Sequence, residues 1–431
     1  MTLNATGIAL SLVNRFAGSE LASRYKLRKP AERLAYHVTR TGFRLATSGQ
    51  QTLTRKRRTH SSAASKENRK LFDLSLSEEQ RLIVENAKRL ASTLRAQSDQ
   101  AEIAHYPTET VISESEALGL NLFVLPEAWG GISAEAPAET MTLITEQLAW
   151  GDMGQALALL APTACLSAIS RWGNAALQAQ WLPRFAEGHF LPAAMAIHEN
   201  NVDFSPEQTR CTATRHRKSY RLNGQKTLVP LAQTAEFFLV SARINKNTPA
   251  LFLVERDTKG LQIDTAPAMG LRSAGLGTLI LSNVQVSPDS RLDRNFQLDD
   301  WLSRSRIAVS ALACGTSQAV VDFTIPYCNE RQAFGEPISH RQGVAFLLAD
   351  MATELDGMRL MNWRASSRCD HQLSFDREAW LAHTQCSDKG MLIGTHGVQL
   401  LGGHGFVKEY PVERWYRDLR AISLLSGSVL V

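Results

Sequence analysis

Apolar spacing changes twice along these 431 residues, and that change limits the architectures open to the chain. Ser77-Glu-Glu-Gln80 has the pattern of a capping box, in which a serine hydroxyl and a glutamine side chain satisfy the free N–H groups of a helix start. Ile83, Ala87, Leu90 and Leu94 follow at helical spacing. Further helices are expected to about residue 190, broken at Gly119, at Trp129-Gly-Gly131 and at Gly173. From Ala193 to about Val286 the runs shorten. Phe237–Ala242, Leu251–Val254 and Leu279–Val286 read as strands, and Asn223-Gly224 predicts a hairpin turn between strand-like flanks. Beyond Leu302 the helical period returns, with long amphipathic helices expected at 303–330, 340–369, 374–402 and 411–423. The order is α, then β, then α, without an internal repeat. The expected class is α+β, mainly α, divided into a basic extension and linker (1–70), an all-α domain (71–190), a central β domain (191–295) and a C-terminal helical bundle (296–431).

Charge is uneven along the chain. Residues 1–70 hold 15 Lys/Arg against three acids, which leaves the remainder at −7 within a chain total of +5. Two short basic amphipathic helices are expected within 1–46, then a polar, Ser-rich linker from Thr47 through Arg55-Lys-Arg-Arg58 to Lys70. This arm reads as a solvated surface; peripheral contact with a membrane surface or a partner is the sharper alternative. Its Arg-rich, acid-poor start also leaves an organelle-targeting role open. Nothing interleaves aromatics with the basic run, so nucleic-acid binding is not expected. Six scattered cysteines form no CxxC pair and read as reduced core thiols, which fits a cytoplasmic protein. The apolar run Ala156–Ile169 is broken by Pro162, Thr163 and Ser167, short of the roughly 18 uninterrupted apolar residues of a membrane span.

Two long segments are more specific. Asn329-Glu-Arg-Gln-Ala-Phe-Gly-Glu-Pro-Ile338, with Gln342 and Leu348-Ala-Asp-Met351, resembles one signature of the acyl-CoA dehydrogenase family, and the run from Gln399 to Asp418 resembles the other. Leu118-Gly-Leu120, Val124-Leu-Pro-Glu127, Leu182-Pro-Arg184, Asn223-Gly-Gln-Lys226 and Met269-Gly-Leu-Arg-Ser273 follow in family order, so the likeness covers about 72–431. The resemblance implies a helical N-terminal domain, a central β-barrel and a C-terminal four-helix bundle. It also implies a homodimer or homotetramer, a flavin adenine dinucleotide (FAD) lying partly against a neighbouring subunit, an acyl-CoA substrate, and an electron-transfer flavoprotein as electron acceptor.

The same resemblance assigns residues. Arg331 would meet the FAD pyrophosphate, where a guanidinium fork matches phosphate oxygens. Phe334 would pack on the cofactor and Gln342 would hydrogen-bond it. Gln399, Gly402 and Gly403 match the segment against the adenosine diphosphate part, where glycines let backbone approach a ligand. Ser428 is assigned to the cofactor as well, and Arg306 to the substrate. At the flavin ring the chain departs from the family: Ile197-His198-Glu199-Asn200 and then Asp203 stand where Thr-Glu-Pro and Gly-Ser-Asp are usual, and Leu228-Val229-Pro230 where Trp-Ile-Ser/Thr is usual. Pro230 has neither a backbone N–H nor a hydroxyl to offer.

In the family a glutamate takes the α-proton of the acyl thioester while a β-hydride moves to the flavin. Ser426 occupies the usual position of that glutamate, and Ser305 its alternative on the first bundle helix. A lone hydroxyl is a very poor proton acceptor at pH 7. Three alternatives follow: another carboxylate such as Glu199 serves instead, the chain is a weak or inactive flavin- or acyl-CoA-binding relative, or it runs other flavin chemistry. A fourth uses the fold only to carry a membrane- or nucleic-acid-docking arm. A missing general base costs about 10²–10⁴ in rate. Ser426→Glu is therefore expected to raise acyl-CoA dehydrogenation at least about tenfold, measured as initial rate on flavin-loaded protein.

Overall fold

The computed structural model describes residues 75–132, 137–201, 204–245, 248–292 and 296–431. The expectations placed on residues 1–70 and on Asp203 lie outside these.

The first helix, α1 (Glu78–Ala96), starts on the expected capping box: the Ser77 hydroxyl accepts the Gln80 N–H and the Gln80 side chain accepts the Ser77 N–H, both at 3.1 Å. Its buried stripe is Ile83, Ala87, Leu90 and Leu94. Then come α2 (Ser98–Ala104), α3 (Glu109–Leu118), α4 (Pro137–Gly151), α5 (Met153–Trp172) and α6 (Ala175–Ala186). Gly119 ends α3 with φ of 68°, a left-handed cap that glycine adopts without a Cβ clash.

Seven strands follow: β1 (Ala193–Ala196), β2 (Thr212–His216), β3 (Ser219–Val229), β4 (Phe237–Asn245), β5 (Thr248–Glu255), β6 (Leu261–Thr265) and β7 (Gly277–Val286). They form one curled sheet in the order β1-β4-β2-β3-β7-β6, with β5 also on β4. β1 and β2 run parallel to β4; the other pairs are antiparallel. The predicted hairpin turn at Asn223-Gly224 is not there. The β2–β3 hairpin turns at Arg217 and Lys218, with Arg217 at φ of 53°, and β3 continues through Asn223-Gly224 as a bulge against β7. Gly224 (φ 146°) passes so near β2 that a Cβ would lie 2.8 Å from the Cys211 Cα, while Asn223 Oδ1 accepts the Asn283 N–H at 2.8 Å. Asn-Gly marks backbone that only glycine accepts easily, and a bulge uses it as well as a turn does.

The C-terminal bundle comprises α7 (Leu298–Glu330), α8 (Gln342–Asp370), α9 (Asp376–Leu401) and the short α10 (Val412–Leu419). A two-stranded ribbon, β8 (Gln332–Ala333) and β9 (Glu336–Pro337), joins α7 to α8. α7 is the central element, burying Ile307, Ala308, Val309, Ala311, Leu312, Ala313 and Gly315 among α4, α8 and α9. Two helices, α5 and α7, are long and apolar enough to cross a membrane by length and composition, but 94% and 83% of their most apolar windows are enclosed by protein. Within α5 the Thr163 hydroxyl donates back to the Leu160 carbonyl at 2.7 Å. All six cysteines are free and buried, as expected.

At Gly315 a Cβ would strike the Glu146 carbonyl oxygen of α4. Gly315→Ala is therefore expected to cost about 1–3 kcal/mol despite alanine's better helix propensity. Gly357→Ala, where nothing stands within 4 Å, should instead gain about 0.5–1 kcal/mol. Denaturation midpoints of the two variants should move in opposite directions.

Candidate functional site

The assigned residues gather at the two ends of α7. Arg306 and Arg331 are 25 residues apart in sequence, roughly 37 Å along a continuous helix.

The first end is closed by the segment after α10. Gly427, in the left-handed region (φ 94°), lies flat on the Trp301 indole, where a Cβ would be 2.9 Å from the ring, and also faces Ile197 at the end of β1. Its N–H donates to the Ser305 hydroxyl at 2.6 Å. Val429, Leu430 and Val431 are buried and anchor the segment. The two positions singled out for a missing carboxylate, Ser305 and Ser426, are thus neighbours across one hydrogen bond. Ser428 is buried with its N–H on the Leu425 carbonyl at 2.9 Å.

Ser426 is not alone. Its hydroxyl lies 3.3 Å from Nε2 of His383 on α9. The other ring nitrogen, Nδ1, is buried and has no partner among the described residues. Burial, aided by repulsion from the Arg306 guanidinium, pushes the His383 imidazole down to about 4, so it is neutral at pH 7. Arg306 in turn faces Glu207 of the β1–β2 connection at 3.8 Å. Sequence reasoning missed His383. The available signal was a histidine next to the buried stripe Ala379, Ala382, Cys386 and Gly390 of an otherwise ordinary helix.

Glu199 does not serve as a spare base. Its carboxylate is 2.7 Å from the fully buried Lys226 ammonium and accepts hydrogen bonds from the Thr209 hydroxyl and from the Arg210 and Cys211 N–H groups. Lys226 Nζ is also within 3.0 Å of the Ile197 carbonyl, the Thr209 hydroxyl and the Ser241 hydroxyl. Burial alone would raise the Glu199 carboxyl, but Lys226 and these donors outweigh it and hold it below the usual range. The pair ties β1 to β3 and β4. Next to it, Leu228 and Leu231 flank Pro230 with φ of 54° and 52°, strained for non-glycine residues, and His198 Nδ1 is buried without a partner among the described residues. This is the stretch where the sequence departs from the family at the flavin ring.

The second end is open. Tyr327, one turn before Arg331, bonds through its hydroxyl to His404 Nδ1 at 2.9 Å, and His404 stacks on Tyr410 with centroids 4.7 Å apart. That contact joins the end of α7 to the Gly402–Phe406 turn. Arg331, Gln342, Gln399, Gly402 and Gly403 are all exposed, and Phe334 is 94% exposed. Gly402 (φ 58°, ψ −127°) holds a conformation open to glycine alone, and both glycines face open space. No ion pair occupies Arg331 among the described residues.

The remaining shared segments are structural. Asp418 accepts the Leu271 N–H at 2.6 Å, Arg417 donates to the Met269 carbonyl at 2.9 Å, and Ser273 bonds Asp152 at 2.8 Å. Burial and the neighbouring Asp152 push Asp418 up to about 7. A cavity of about 590 Å³ is lined by His105, Tyr106, Leu231 and Arg272 and by none of the assigned residues.

Residues 77–189 match the N-terminal domain of acyl-CoA dehydrogenase, 194–284 its middle domain and 297–429 its C-terminal domain. The chain belongs to the acyl-CoA dehydrogenase family. Members are FAD-dependent oxidoreductases acting on CH–CH groups. The mitochondrial short-chain specific acyl-CoA dehydrogenase of Mus musculus is 30% identical over 78% of this chain and 82% of its own length. Cyclohex-1-ene-1-carbonyl-CoA dehydrogenase of Geobacter metallireducens is 32% identical over 72% and 84%. The butyryl-CoA dehydrogenase structure from Megasphaera elsdenii superposes with a TM-score of 0.75 at 25% identity, covering 83% of this chain and 96% of that one. The family's helix–sheet–helix architecture is the one described above.

Removing one partner of a buried ion pair leaves an uncompensated charge. Lys226→Met is expected to cost about 3–5 kcal/mol, while Lys226→Met combined with Glu199→Leu should recover most of that loss. A double-mutant cycle on thermal midpoints checks this.

Proposed function

We propose that this acyl-CoA dehydrogenase-family chain binds FAD and performs α,β-dehydrogenation of a fatty acyl-CoA. The observation that carries the reading is the open end of α7. A cation without an ion pair, an aromatic ring almost wholly exposed and two bare glycines fit an anionic, planar ligand better than they fit water. There Arg331 would hold the pyrophosphate, Phe334 would cover the cofactor, and Gln342, Gln399, Gly402 and Gly403 would line its adenosine diphosphate part. When bound, FAD supplies the hydride acceptor.

The distance along α7 supports a shared site. Roughly 37 Å separates Arg306 from Arg331, further than one cofactor reaches. We therefore infer a homo-oligomer, dimer or tetramer, in which the Arg331 end of one copy completes the Ser426 end of another. Phe346, Trp380, Leu381 and Leu392, exposed on α8 and α9, supply apolar surface for such a contact. At the Ser426 end, Arg306 would steer the anionic CoA thioester. Electrons would pass on to an electron-transfer flavoprotein, by family resemblance. The free, buried thiols suit a reducing compartment such as the cytoplasm. No described feature favours a docking role for the arm over catalysis.

Purified protein is expected to be yellow, and its visible flavin band to bleach when acyl-CoAs of increasing length are added without oxygen. Arg331→Ala should lower the FAD retained through gel filtration without unfolding the protein. A yellow protein that no acyl-CoA bleaches would mean a cofactor-binding relative that has lost the reaction; a colourless one would overturn the FAD assignment.

A further inference from the structure

We propose that His383 is the proton acceptor of this site, reached through the Ser426 hydroxyl, so that a serine–histidine relay stands where the family places a carboxylate. The inference rests on the dehydrogenase reading given above.

Three observations carry it. First, the atom facing the hydroxyl of Ser426, which the resemblance sets at the family's glutamate position, is a ring nitrogen, Nε2, at 3.3 Å. Catalytic hydrogen bonds are commonly this loose without ligand and tighten when substrate binds. Second, Nδ1 is buried without a partner among the described residues. A buried polar atom left unpaired costs about 1–3 kcal/mol, and here it leaves Nε2, which faces Ser426, as the ring nitrogen with a neighbour. Third, the neighbouring acceptors are already engaged. Ser305 accepts the Gly427 N–H, and Glu207 faces Arg306. Burial keeps the imidazole neutral at pH 7, which leaves its lone pair free while making it a weaker base than an ordinary histidine.

The step balances. Ser426 Oγ takes the α-proton as its own hydroxyl proton passes to His383 Nε2. The electron pair of the broken C–H bond stays on the thioester as enolate, and becomes the carbon–carbon double bond when the β-hydride leaves with two electrons for FAD. The imidazolium then returns its proton to solvent. The new positive charge forms beside Arg306, which opposes it, while the enolate forming in the same pocket offsets it. Such a relay is slower than a carboxylate in direct contact with the substrate.

A serine–histidine pair also has the geometry for attack on the thioester. The backbone donors that would hold an oxyanion are used up here: the Gly427 N–H by Ser305 and the Ser428 N–H by Leu425. Abstraction of the α-proton also leaves negative charge on the thioester oxygen, so the two reactions are separated by experiment.

The experiment uses flavin-loaded protein and two readouts. Acetoacetyl-CoA, a thioester with an acidic α-proton, reports deprotonation alone through the near-ultraviolet band of its enolate. Wild type should bind it as enolate, whereas His383→Gln and Ser426→Ala should bind it without that band. With an acyl-CoA substrate, His383→Gln should lower kcat by about 10²–10⁴ with KM little changed. Ser426→Glu in the His383→Gln background should restore both signals, because a carboxylate at position 426 needs no histidine. Flavin content and circular dichroism guard against misfolding. Undiminished kcat and enolate band in His383→Gln would overturn the relay and point to Glu207 as the base. Release of free CoA with an acyl group on Ser426 would overturn it in favour of acyl transfer. A wild type that forms the enolate but bleaches with no acyl-CoA would keep the relay and remove the dehydrogenase reading.

Discussion

The close approach of α7 to α4 sets the geometry of everything the chain does. Gly315 rests against the Glu146 carbonyl, and the Glu146 side chain is paired with Arg359 of α8, which also bonds Gln318 of α7 at 2.8 Å. One glycine and one ion pair therefore lock three helices. Removing the glycine's clearance would push α7 outward, and both ends of the site ride on α7. At its beginning, Trp301, Ser305 and Arg306 receive the Gly427 segment. At its end, Tyr327 seats the Gly402–Phe406 turn. The buried stretch of α7 from Trp301 to Val321 fixes the first end in the core, and the helix carries on from it to the exposed second end.

Much of the fold was legible because its signals are local. The Ser77–Gln80 capping box, the stripe Ile83–Leu94 and the four late helices depend on neighbours within a few residues. The Asn223-Gly224 reading failed for an informative reason. The dipeptide reports the backbone conformation that glycine permits, and it does not say whether the chain reverses there. What decides is the partner: β3 meets β2 as far as Asn223 on one side and β7 on the other, and the β7 pairing continues past the bulge to Val229.

The site divides along the same line. Arg331, Phe334, Gln342, Gln399, Gly402 and Gly403 sit inside long contiguous patterns, and the structure leaves them exposed. Residues whose meaning depends on distant partners were not legible. Glu199 looked like a spare carboxylate until Lys226, 27 residues later, was found against it. His383 looked like an ordinary helix position because Ser426 is 43 residues away. Buried polar groups are defined by what they face, and facing is a tertiary property.

The charges around Arg306 bear on how a site with serine at position 426 is balanced. A glutamate at position 426 would stand near a guanidinium that it helps neutralise. With serine there, Arg306 would keep an uncompensated charge in a half-buried place, at considerable electrostatic cost. Glu207 supplies the missing anion from the β1–β2 connection. It does so on the guanidinium side, 3.8 Å from Arg306. Charge balance and basicity, which one glutamate would provide together, are separated in this chain. Glu207 answers Arg306, and the proton falls to a neutral imidazole that adds no charge until the reaction begins. A neutral acceptor avoids burying an unpaired anion at rest, and it gives up the attraction a carboxylate would exert on the proton. The arrangement favours a folded, substrate-ready ground state over speed.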